Sequence, residues 1–187
     1  MTLKPAELYG KVWGIIGLGY IGRAVAQRLK PFELGRILYF DIFRQESSVE
    51  QELAVEYADL PSLLNCSDII SLHAPLTETT REIINESTLN HMKQGAYLIN
   101  VARAELVDEK ALAQAIQKGK IAGAGIDVFS EEPVGAHHPL LKMENDKLLF
   151  SPHIAGVTDE AAGRILNRAA ANIARFLKGE KPESLIY

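Results

Sequence analysis

Three glycines in G-x-G-x-x-G spacing, Gly17, Gly19 and Gly22, follow the apolar run VWGII, and Asp41 closes a second apolar run 19 residues after Gly22. Gly17 suits a tight strand-to-helix turn. Gly19 removes the side chain that would hold a phosphate away, and Gly22 lets the helix pack closely. A helix beginning there offers unpaired N–H groups and its positive dipole end to an anion. A carboxylate at the end of the next strand is the acceptor that a ribose diol needs. Together these residue types point to a dinucleotide. Asp41 favours NAD over NADP, because a carboxylate repels a 2′-phosphate. Arg44 could pair with such a phosphate, and otherwise reads as a solvated surface arginine.

The elements that must position these residues alternate. Candidate strands are Val12–Gly17, Ile37–Asp41, Asp68–His73, Ala96–Val101, Ile121–Val128 and Leu148–Ser151, separated by helical patterns. One helix is expected from about Ile21 to Lys30, with Ala24, Val25 and Leu29 inward and Pro31 ending it. Asp108 reads as the N-cap of a second, carrying Leu112, Ala115 and Ile116 and stopped by Gly119. Leu60–Asn65 and Asn85–Met92 read as shorter helices. Thr158 is placed to cap a long helix over about 158–178, with an apolar stripe of Ala162, Ile165, Leu166, Ala169, Ile173 and Phe176. The pattern predicts an α/β fold: one doubly wound, mostly parallel sheet of Rossmann type, spanning 1–187 and ending in that helix.

Length and composition agree with a folded domain: 187 residues, 47% of them apolar and 24% charged. The net charge of −4 and the lack of a basic run speak against a nucleic-acid partner. No apolar stretch has the length of a membrane span, and MTLKPAELYG lacks a signal-peptide pattern. Cys66 is the single cysteine, which suits a reducing compartment. The expected location is the cytoplasm.

From Leu8 onward, six motifs in order carry a family resemblance: GLGYIGRAVA at 17–26, YFD at 39–41, SLHAPLTETTREIIN at 71–85, MKQGAYLINVARAELVDEKAL at 92–112, GAGIDVFSEEP at 125–133 and SPHIAGVT at 151–158. The chain resembles the NAD-binding domain of the D-isomer-specific 2-hydroxyacid dehydrogenases, especially the D-3-phosphoglycerate dehydrogenase branch. The resemblance implies hydride transfer between NAD and a small D-2-hydroxy or 2-keto acid. It implies a catalytic trio of Arg103, Glu132 and His153. An imidazolium is a suitable acid near neutral pH, a carboxylate can fix and stabilise its ring, and a guanidinium can hold a carboxylate and polarise a carbonyl. The implied cofactor contacts are Gly17, Gly19, Tyr20, Ile21 and Gly22 near the pyrophosphate, Asp41 on the ribose, Ala74 and Pro75 on the adenine side, and Val101, Ala102, Arg103, Asp127, His153, Ala155 and Gly156 around the nicotinamide. The family also implies a homodimer through this domain.

Two departures stand out. Only 16 residues precede Gly17, where the family has about a hundred, so most of the substrate domain is expected to be absent. The terminal helix, which in the family crosses toward that domain, is then expected to be partly exposed. Ala104 and Glu105 stand where Gly-Gly is frequent, and Glu105 brings a negative charge near Arg103. This chain alone is expected to bind NAD and turn over weakly or not at all.

Other residues carry weaker signals. His137 and His138 are adjacent, so their side chains diverge, and no third ligand pattern appears; they read as loop residues and no metal is expected. His73 reads as a strand end, His91 as an exposed helix residue and Cys66 as a small packed hydrophobe. Tyr20 either leans on the phosphates or covers the glycine turn. An NAD(H)-responsive, corepressor-like binding module is the competing function, and another Rossmann enzyme a remoter one. Phosphoglycerate is the first substrate expected, with glyoxylate or hydroxypyruvate next.

Overall fold

β1 (Val12–Ile16) sits between β2 (Arg36–Phe40) and β4 (Ile69–Leu72), paired in parallel with both. The computed structural model describes residues 7–143 and 147–183, so part of the stretch read for a signal peptide lies outside the described residues. Adding β3 (Glu56–Tyr57), β5 (Ala96–Asn100), β6 (Ile121–Ile126) and β7 (Leu148–Phe150) gives a seven-stranded sheet in the order β3-β2-β1-β4-β5-β6-β7. Every pairing is parallel. The expected α/β, doubly wound Rossmann-type sheet is present. Each predicted strand is found one or two residues shorter at its C-terminal end, because those residues already turn into the functional loops.

Residues on adjacent positions of β1 feed two cores, as period-two alternation requires. Ile15 packs with Ala26 and Leu29 of α1 (Tyr20–Leu29) and with Leu53 of α2 (Ser47–Leu53). Ile16 points the other way. It joins Leu63 and Leu64 of α3 (Leu60–Cys66), Leu89 of α4 (Glu86–His91) and Leu112 and Ile116 of α5 (Glu109–Gln117). The inward residues of α1 are Gly22, Ala26 and Leu29, with Ala24 and Val25 only half-buried, a rotation from the expected face. Pro31 does interrupt the helix, which continues as a 3₁₀ turn over Lys30–Phe32. Asp108 caps α5 by accepting from the N–H groups of Lys110 and Ala111, and Asn85 and Thr88 form a capping box on α4.

Among the described elements a helix, a strand and a 3₁₀ turn over Ala104–Leu106 are absent from the sequence reading. α2 buries only Leu53, and β3 is a two-residue edge strand, so neither has enough apolar positions to show a period. Cys66 is exposed rather than packed. The inward position goes to Ser67, fully buried, whose hydroxyl donates to the Leu63 carbonyl at 2.7 Å.

The chain divides into two compact units, Met1–Pro152 and His153–Tyr187. The second is built on α6 (Asp159–Leu177), whose N-cap Thr158 accepts from the Ala161 N–H. No residue of α6 is buried; Ile165, Leu166, Ile173 and Phe176 of its stripe are 62–72% exposed. No described helix is long and apolar enough to cross a membrane.

Candidate cofactor and catalytic site

In a parallel sheet every strand ends on the same edge, and the loops leaving that edge carry the chemistry. Here the strand order reverses between β1 and β4, and the loops after β1, β2, β4, β5 and β6, with the first turn of α1, hold the expected cofactor and catalytic residues of the first unit.

The glycine turn divides its labour. Gly17 has φ of +94°, and a Cβ there would lie 2.5 Å from the Ala74 nitrogen. At Gly22 a Cβ would collide with the Gly17 carbonyl oxygen. Both glycines are therefore demanded by the fold itself. Gly19 is different: a Cβ would meet none of the described residues within 4 Å. It stands at the N-cap of α1 with no side-chain cap, so the open space above it and the uncapped N–H groups fit a phosphate. Tyr20 is 94% exposed, which does not suit a cover over the turn, and Ile21 beside it is also exposed.

Asp41 is joined to this turn. Its Oδ2 accepts from the Leu18 N–H at 2.8 Å, while Oδ1 makes only a long contact, 3.5 Å, from the Phe43 N–H. Arg44 already has its acceptor: its guanidinium donates to Glu50 at 3.0 and 3.1 Å and lies 5.5 Å from the Tyr57 ring centre. Arg44, then the Tyr39 hydroxyl, hold the Glu50 carboxyl below the usual carboxylate range. Burial, with the bond to Glu50, pushes the Tyr39 phenol up to about 12.

After β4, Ala74 is buried and Pro75 exposed. The Thr80 hydroxyl donates to the Pro75 carbonyl at 2.7 Å and holds this loop in place. His73, at the strand end as expected, is largely buried, and neither ring nitrogen has a hydrogen-bond partner among the described residues. Burial pushes it down to about 4. His91 is exposed on α4, with Nδ1 2.8 Å from the Ser87 carbonyl.

The loop after β5 is fixed by a residue the sequence reading passed over. Asn100, 1% exposed, donates to the Arg103 carbonyl at 2.9 Å and accepts from the Ala102 N–H at 3.1 Å. A polar side chain ending an otherwise apolar strand was the available signal. Val101 and Ala102 are half-buried and Arg103 is exposed, its Nη1 donating to the Ala102 carbonyl at 2.6 Å. Asp127, at the end of β6, is 2% exposed and accepts from the Ser151 hydroxyl at 2.5 Å. Ser151 was likewise unforeseen. Glu132 is exposed, and its Oε1 accepts from the Phe129 N–H at 3.1 Å.

The remaining residues belong to the second unit. His153 has φ of +55°, a conformation sparsely used outside glycine that concentrates at functional positions. Ala155 and Gly156 follow in an exposed turn, closed by the Val157 N–H donating to the Ile154 carbonyl at 3.0 Å, just before the Thr158 cap. His138, expected as an ordinary loop residue, is buried at 3% exposure, with Nε2 2.9 Å from Glu109. Among the described residues no group of three or more His, Cys, Asp or Glu could hold a metal ion.

Residues 1–155 match the sequence profile described as D-isomer specific 2-hydroxyacid dehydrogenase, NAD binding domain. A glyoxylate reductase of Korarchaeum cryptofilum is 47% identical over 186 residues, covering 100% of this chain and 55% of that protein. One from Thermofilum pendens is 47% identical over 184 residues, covering 98% of this chain and 53% of that protein. Among solved structures, a glyoxylate reductase from Paecilomyes thermophila superposes with a TM-score of 0.87 at 35% identity, covering 96% of this chain and 53% of its own. A D-lactate dehydrogenase from Aquifex aeolicus, complexed with NAD and lactic acid, gives 0.82 at 36% identity, over 94% and 56%. The chain thus spans about half the length of the curated relatives it matches. It belongs to the NAD-binding domain family of the D-isomer-specific 2-hydroxyacid dehydrogenases.

Proposed function

We propose that this chain is the cofactor-binding part of an enzyme that interconverts a small 2-keto acid and its D-2-hydroxy acid. NAD, when bound, supplies the hydride acceptor or donor. The observation that carries the reading is the Asp41 carboxylate tied to the glycine turn beside the open space over Gly19. Glyoxylate is the first substrate to test, because the relatives of highest identity named above are glyoxylate reductases; hydroxypyruvate and the keto acid of phosphoglycerate follow.

In this reading Arg103 binds the substrate carboxylate through its planar fork and polarises the carbonyl. His153 gives a proton to the carbonyl oxygen during reduction and takes it back during oxidation. Glu132 stabilises the charged ring and fixes which nitrogen bears the proton. Asp127 orients the cofactor's carboxamide. Tyr20 and Ile21 flank the pyrophosphate, Ala74 and Pro75 the adenine, and Val101, Ala102, Ala155 and Gly156 the nicotinamide. The proposal includes a homodimer and a cytoplasmic location.

The test is a fluorescence titration with NADH, followed by loss of NADH absorbance on adding each keto acid. Saturable NADH binding, weakened about tenfold to hundredfold in Asp41→Ala, is the expected result. No saturable NADH binding by the folded chain would overturn the reading.

A further inference from the structure

The loop after β6 carries Glu132, yet it is anchored from another element. Glu109, the first residue of α5, uses both carboxylate oxygens on this loop. Its Oε1 accepts from the Ser130 N–H at 3.3 Å; its Oε2 accepts from the Ser130 hydroxyl at 2.5 Å and from His138 Nε2 at 2.9 Å. The Leu140 N–H donates to His138 Nδ1 at 3.4 Å, which leaves Nε2 as the nitrogen that carries the proton toward Glu109. The His138 ring in turn meets Phe129 edge to face, centres 5.4 Å apart at 88°. The side chains of His138 and Glu109 are only 4% and 12% exposed.

Phe129 and Ser130 are thus held at ring, amide and hydroxyl, and the Phe129 N–H is the donor on which the Glu132 carboxylate rests. We infer that Glu109, with His138 and Ser130, is a positioning clamp that sets where the Glu132 carboxylate sits. The inference rests on the proposed role of Glu132. A carboxylate on the N-terminal turn of α5 is favoured by the helix dipole, so the anchor is stable where it stands. Removing it leaves a buried imidazole N–H and two loop donors without their acceptor, and the Phe129 amide loses its fixed direction.

The test is a shift-coupling cycle by amide NMR on the chain in solution. Glu132→Gln weakens the bond from Phe129 and moves that amide proton upfield. In Glu109→Ala, and in His138→Phe, which keeps the ring, the same Glu132→Gln change should move it far less. Asp108→Ala, which removes the neighbouring cap of α5 without touching the loop, should leave the full displacement. An undiminished displacement in both Glu109→Ala and His138→Phe would overturn the clamp, as would an equal loss in Asp108→Ala. The measurement needs neither cofactor nor substrate. Failure to bind NADH would therefore count against the dehydrogenase reading while the coupling still decides the clamp.

Discussion

The backbone N–H of Leu18 donates to the Asp41 carboxylate at 2.8 Å, which joins the glycine turn after β1 to the end of β2. The acidic residue proposed as the ribose acceptor is therefore also part of the turn's own construction. Asp41→Ala should remove both contributions and weaken NADH binding about tenfold to hundredfold, the worth of one or two charge-assisted hydrogen bonds. Asp41→Asn can still accept from Leu18 but no longer repels a 2′-phosphate, so it should narrow the preference for NADH over NADPH. Parallel fluorescence titrations with the two cofactors separate these effects.

The three glycines should respond differently to alanine. Gly22→Ala drives a methyl group into the Gly17 carbonyl, and Gly17→Ala adds a left-handed strain to a contact with Ala74. Each should cost on the order of 2 kcal/mol or more, seen as a fall in Tm of several degrees. Gly19→Ala meets no neighbour, so it should melt like the parent and yet bind NADH more weakly. Calorimetry beside the NADH titration checks this; a Gly19→Ala that binds normally would remove phosphate from that space.

Much of this arrangement was legible in the sequence because it is written in strong local rules. The glycine spacing, the alternation of apolar runs with helical patterns, and the caps Asp108 and Thr158 all act within a few residues. Much of what escaped depends on contacts between distant segments. Ser151 looks like an ordinary strand end until the fold sets it against Asp127, 24 residues earlier; Asn100 is a local case, its amide serving the loop two and three residues ahead. His138 reads as one of a pair in a loop, because the acceptor that keeps it buried lies 29 residues earlier at Glu109. Cys66 fails for a local reason: a serine one residue later satisfies its own hydroxyl on the preceding helical turn and takes the inward place.

His73 should make stability depend on pH. Its buried ring titrates at about 4, against an ordinary value of 6.5. The unfolded chain therefore takes up a proton before the folded one does. The stabilisation is complete above about pH 6.5 and is lost as pH falls through the window down to about 4, by on the order of 2–3 kcal/mol. His73→Phe should flatten this part of the profile. Urea denaturation at a series of pH values reads the difference, and an equally steep fall in the variant would assign it to other groups.

The proposed dimer has an apolar surface to use in the first unit. A groove of about 740 Å³ opens on the sheet, lined in part by Trp13, Ile69, Tyr97, Ile99 and Leu149. Tyr97 is 44% and Leu149 77% exposed there, so replacing them disturbs little packing. If copies associate over this face, Tyr97→Asp with Leu149→Asp should shift the mass measured by light scattering from dimer to monomer, with the far-ultraviolet circular dichroism unchanged. A dimer that survives both charges must associate elsewhere.

Arg103 allows the sharpest separation of binding from chemistry. Its side chain is exposed and donates locally, to the Ala102 carbonyl, while Asn100 fixes the backbone beneath it. Arg103→Ala should therefore keep Tm within about 2 °C and leave NADH affinity close to the parent's. In the proposed enzyme it should lower kcat/KM for a keto acid by about a hundredfold to a thousandfold, the usual worth of a charged clamp on a reacting carboxylate. Arg103→Lys keeps the charge but loses the fork, so it should recover only part of that loss. If both substitutions weaken NADH binding as much as they slow turnover, Arg103 holds the cofactor rather than the acid, and the substrate carboxylate must be bound by another group.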